Sequence, residues 1–133
     1  MLKEVEIRIE DGKDAGKVFK IKEMPALQMD RWAMRALCLL GRSSSNGIAG
    51  LFQIKDFSEL LSSFSAIDYE KAEPLLVEML ECCYFVKDGT LIQLKGSFIN
   101  GIIEDWTTLT RLRVEALKVN LGFLEQGDGS KSG

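Results

Sequence analysis

From Gly101 to Gln126 the apolar positions recur with a helical period. Ile102, Trp106, Leu109, Leu112, Ala116, Leu117, Val119, Phe123 and Leu124 fall on one stripe, and Glu104, Arg111, Glu115 and Lys118 on the other side. That pattern predicts one long C-terminal helix with a buried face. Arg113 and Asn120 interrupt the apolar face. A polar group there finds an internal hydrogen-bond partner, the commoner outcome, or lies at a contact between chains.

At the other end of the chain the period is two. Val5, Ile7 and Ile9 alternate with Glu4, Glu6, Arg8 and Glu10; Phe19 and Ile21 alternate with Lys20 and Lys22. With Asp11-Gly12 and Gly16 between them, these runs predict a hairpin with a long connection and charge pairs across its strands. Helical spacing returns over Leu27 to Leu40, with Met29, Trp32, Ala33, Ala36, Leu37 and Leu40 on one face and Gly41 as a stop signal. A Ser/Gly-rich loop follows over 42–50. A short helix around Phe57 to Phe64 comes next, then a helix from Tyr69 to Cys83 that contains Pro74. Asp88-Gly89 between two β-rich runs predicts a second hairpin near residues 84–94. Asn100 is placed to cap the long helix. The expected fold is α+β and mainly α-helical: an N-terminal hairpin, a helical body, the second hairpin and the long last helix. One domain spans 1–126, and Gly127 to Gly133 form a flexible tail.

Composition narrows function mostly by exclusion. The chain has 133 residues, about one domain's worth, and a hydrophobic fraction of 46%, enough for a core without staples. A net charge of −3 argues against a general nucleic-acid binder. There is no histidine, which removes the commonest general base and metal ligand. Cys38, Cys82 and Cys83 are not in a CxxC arrangement and read as buried thiols on helices in a reducing compartment. No stretch suits a signal peptide, a membrane span, a phosphate loop or an EF-hand. Trp32 and Trp106 sit at helical spacing in apolar faces and read as core rather than as a stacking platform. No catalytic residue, cofactor or metal site is expected, and the expected location is cytoplasmic.

Two stretches carry a family likeness. Leu27-Gln28-Met29-Asp30-Arg31-Trp32-Ala33-Met34-Arg35-Ala36-Leu37 is one. Trp106-Thr107-Thr108-Leu109 followed by Glu115-Ala116-Leu117-Lys118-Val119-Asn120-Leu121-Gly122-Phe123-Leu124 is the other. Together with the order of elements they resemble the tail assembly chaperones of long-tailed, lambda-like bacteriophages. The resemblance implies a non-enzymatic protein of the host cytoplasm, absent from the mature virion. Such a protein binds and solubilises the helical tape measure protein and helps recruit tail tube subunits. The Gly/Ser tail would suit a frameshifted extension. A homo-oligomer is expected, and Trp106, Leu109, Arg113, Asn120 and Phe123 are the candidate protein-interaction residues. The alternative is a neck or tail-completion protein retained in the virion.

Overall fold

The computed structural model describes residues 1–43 and 67–122, with side chains described for 1–39 and 67–122. Their elements, in order, are β1 (Glu4–Arg8), β2 (Val18–Lys22), α1 (Ala26–Ser43), α2 (Tyr69–Leu80), β3 (Cys83–Lys87), β4 (Thr90–Gln93), α3 (Phe98–Ile102) and α4 (Trp106–Asn120). The chain divides into two compact units, one of residues 1–24 and 77–120 and the other of 25–76 and 121–133.

The first unit is built on a four-stranded antiparallel sheet in the order β1-β2-β3-β4. This corrects the expectation of a mainly α-helical chain: the fold is mixed α/β, and the two hairpins form one sheet. The hairpins join because Phe19, Lys20 and Ile21 of β2 pair with Phe85, Tyr84 and Cys83 of β3. Two short apolar-faced hairpins are each marginal alone, and pairing them gives both a common buried face. Val5 and Ile7 stand opposite Ile21 and Phe19 on that face, which continues through Cys83 and Phe85 to Ile92. Phe19 and Ile21 are fully buried, and α4 packs against β2. On the far face Lys20 reaches Glu4 at 3.7 Å, and Lys22 lies 4.7 Å from the centre of the Tyr84 ring. The Asp88-Gly89 turn has positive φ at both residues, as a two-residue hairpin of this type needs.

The second correction concerns the C-terminal helix. A single helix from Gly101 to Gln126 is not present: α3 ends at Ile102, Ile103 is extended (φ −111°, ψ 129°), and a new fifteen-residue helix starts at Trp106. Asp105, rather than Asn100, begins it: its carboxylate accepts the Thr107 amide at 3.1 Å and the Thr107 hydroxyl at 2.8 Å. Ile102 is therefore buried while Trp106, one turn along in the predicted stripe, is not. Smaller corrections fall on α2, which stops at Leu80, so that Cys83 belongs to β3 rather than to a helix, and on Cys38, which is exposed rather than buried.

In the second unit α1 runs through Gly41, the predicted stop, to Ser43. Trp32, Ala36 and Leu37 are buried, and the Trp32 indole donates to the Leu75 carbonyl at 3.0 Å. The predicted loop beyond residue 43, the helix around 57–64, Phe123 and the tail 127–133 lie outside the described residues.

Asn120 ends α4 inside the first unit. It is 7% exposed; its Oδ1 accepts the Met24 amide at 2.8 Å, and its Nδ2 donates to the Ala116 carbonyl at 2.9 Å. Replacing it with alanine leaves the buried Met24 amide unpaired. Asn120→Ala is expected to cost about 2 kcal/mol, read from the midpoint of urea unfolding at unchanged slope.

Candidate interaction surface

The corner between α3 and α4 is fixed by one carboxylate. Asp14, in the β1–β2 connection, has no exposed surface. Its Oδ1 accepts the Glu104 amide at 3.0 Å and the Lys17 ammonium at 2.7 Å; its Oδ2 accepts the Asp105 amide at 3.0 Å and the Thr108 hydroxyl at 2.8 Å. Lys17 also donates to the Ile102 carbonyl at 2.6 Å, the last residue of α3. The hairpin connection thus holds the end of one helix and the start of the next. Burial pulls the Asp14 carboxyl upward. The Lys17 ammonium, the Thr108 hydroxyl and the two backbone amides outweigh that, and hold it well below the usual carboxylate range. Thr107 likewise holds Asp105 below its ordinary value. Every oxygen of Asp14 is spent on structure, so this buried acid is a clamp rather than a general base.

Gly12 makes the clamp fit. Its φ is +86°, and a Cβ there would lie 2.9 Å from Asp105 Oδ2. Gly16 has nearly the same φ, +91°, with nothing within 4 Å of its Cβ position. Alanine at either site is strained by about 1–2 kcal/mol. Gly12→Ala should lose more stability than Gly16→Ala in thermal unfolding, since only Gly12 also displaces the helix cap.

What the clamp positions is Trp106. The first residue of α4 is 74% exposed, although an apolar stripe was expected to bury it. Phe98, the first residue of α3, is 69% exposed. Leu109 is half-buried, one turn on from Trp106. Arg113 is half-buried a further turn on, and its Nε is covered without a hydrogen-bond partner. Of the five residues picked from sequence, Trp106, Leu109 and Arg113 recur along α4 at helical spacing, while Asn120 is committed to Met24 and Ala116. Phe98 was missed because it falls in a connector without periodicity. Asp14 was missed because a lone carboxylate between two glycines reads as ordinary turn chemistry.

No family model, characterised protein or solved structure matches the chain. Among the described residues no group of three or more His, Cys, Asp or Glu side chains is placed to hold a metal ion. None of the described helices is long and apolar enough to cross a membrane. Burial pushes the Cys82 thiol up to about 11 and Cys83 further still; Cys83 Sγ lies 3.6 Å from the Leu112 carbonyl, against the helix on the sheet. Both thiols are held protonated and out of reach, which is the opposite of an activated nucleophile.

In the second unit a groove of about 400 Å³ runs between α1 and α2, lined by Met34, Arg35, Cys38, Leu39, Lys71, Pro74 and Leu75. Among the described residues its lining is mainly apolar, with two cationic side chains and a thiol, and without the converging polar groups that fix a small substrate.

Proposed function

We propose that this chain is a bacteriophage tail assembly chaperone, which binds and solubilises the tape measure protein and helps recruit tail tube subunits. The observation that carries the polypeptide-binding part is the exposure of Trp106 at the clamped start of α4. A large aromatic side chain held in water on a rigid element is a ready anchor for a partner, and tryptophan is among the side chains most enriched at binding hot spots. Leu109 extends the apolar contact, and the Arg113 guanidinium supplies a cation at its rim. Such a stripe along a helix suits an amphipathic helical client, which lays its own apolar face against it. The spent carboxylate and the protonated thiols support a binding role over an enzymatic one.

The phage-specific part rests on the likeness of residues 27–37 and 106–124 to those chaperones. The shortened last helix leaves that likeness on the two Trp-bearing stretches.

Co-expression with a tape measure protein tests the role. A chaperone keeps that client soluble, co-purifies with it, and is missing from purified virions by mass spectrometry. Presence of the chain in the finished particle would assign it to the neck or the tail terminus instead. A client that stays equally soluble without it would contradict the proposal.

A further inference from the structure

Among the described residues the sheet has two open edges, and they differ in chemistry. In β1 the residues whose main-chain groups face outward are Glu4, Glu6 and Arg8, because the Ile9 amide donates to the Lys17 carbonyl and the Lys3 carbonyl accepts the Glu23 amide, both at 2.9 Å, which sets the alternation. Charged side chains along an edge are the usual protection against pairing with another chain. In β4 the alternation is set by Leu94, whose amide donates to Cys83 at 3.0 Å. Ile92 therefore bonds inward to Phe85, and the N–H and C=O groups of Leu91 and Gln93 face outward. Those groups have no partner among the described residues. Neither side chain is charged. Beside this edge lies an open groove of about 590 Å³ lined by Leu91, Ile92, Gln93, Lys95, Gly96, Ser97 and the exposed Phe98.

We infer that β4 is a self-association edge, along which two copies of the chain pair antiparallel about a twofold axis at Ile92. The register follows from the outward groups. Leu91 of one copy and Gln93 of the other exchange both main-chain hydrogen bonds, and the twofold repeats the exchange. Ile92 then meets its own symmetry mate in a non-hydrogen-bonded pair, where side chains approach most closely. The same register sets Lys95 of each copy beside the Asp88-Gly89 turn of the other, so opposite charges meet at both ends of the contact. Phe98 of each copy lies at the groove beside Ile92 and gains cover from the contact. Two four-stranded sheets become one continuous sheet, and the uncharged edge is consumed. A second copy satisfies the strand edge, the apolar groove and the charges together. The pairing stands apart from client binding, which uses α4.

Sedimentation equilibrium of the full chain and site-specific cross-linking test it together. The wild-type chain is expected to dimerise. Leu91→Pro, which removes an outward N–H on an edge strand where proline is otherwise tolerated, should raise the dissociation constant roughly tenfold or more. In a Cys38→Ser background, chosen because Cys38 is exposed, Ile92→Cys should oxidise to a disulfide-linked dimer. The close pair at the axis has a Cα separation of about 4.5 Å, within the range of about 4.4–6.8 Å that a disulfide spans. Glu6→Cys, on the opposite edge, should not cross-link. If Leu91→Pro fails to fold, the cross-link decides alone. A wild-type monomer at all concentrations, an unchanged dimer in Leu91→Pro, or cross-linking through Glu6→Cys rather than Ile92→Cys would overturn the assignment. Client capture is read on Trp106 variants, so failure here leaves that proposal separately testable.

Discussion

Asp14→Asn should lower stability by about 3 kcal/mol, the low end of the cost of removing one partner from a buried, hydrogen-bonded ion pair. An amide of the same shape offers one accepting oxygen where the carboxylate offers two, and its NH₂ group meets donors. The Glu104 and Asp105 amides and the Thr108 hydroxyl compete for what remains. Lys17 is partly solvated and keeps the Ile102 carbonyl, which is why the higher end is not expected. The pH dependence has a definite sign. The Asp14 carboxyl is depressed in the folded chain, so its contribution is present in full above the unfolded value of about 3.9. It is lost progressively as pH falls from there toward the folded value. Urea unfolding of wild type and Asp14→Asn at pH 7 and in stronger acid should therefore show the two converging as the pH drops. A gap that persists unchanged into acid would mean that the carboxylate's charge is not what holds the corner.

Trp106→Ala should have the complementary profile. With three quarters of the side chain in water, its removal is expected to change stability by no more than about 0.5 kcal/mol. The same change should weaken client binding about thirtyfold, the equivalent of a hot-spot loss of about 2 kcal/mol. Asp14→Asn reaches Trp106 only through the corner. It should weaken binding less, by loosening the start of α4 rather than by removing a contact. Titration of labelled client against the two variants at neutral pH separates the contact from its support.

The strands of this chain were legible, and the way they combine was not. Period-two alternation over residues 4–10 and 17–22, and the Asp88-Gly89 turn, mark the strands because side-chain alternation and turn chemistry are local properties. Nothing local says that Phe19 of β2 will stand beside Phe85 of β3, sixty-odd residues on. That pairing depends on two half-buried surfaces finding each other, and it turns two hairpins into one sheet. The broken last helix has the same origin. Residues 101–126 have helical period throughout, yet the Asp14 carboxylate takes the amides of Glu104 and Asp105, and Asp105 caps a new helix. A tertiary hydrogen-bond acceptor overrode a continuous pattern. Asn120 shows the reverse case: a polar residue on an apolar stripe needed a partner, and Met24 and Ala116 supply it. Trp106 kept its place in the pattern but lost its burial, which brings the candidate surface into view.

The proposed grip of the exposed Trp106 on a helical polypeptide can be measured in cells. Its most direct test is the amount of soluble tape measure protein recovered when it is co-expressed with the wild-type chain and with Trp106→Ala. Soluble client is expected with the wild type and a loss of most of it with the variant, while the variant itself stays folded and abundant. Equal recovery with both chains would contradict it.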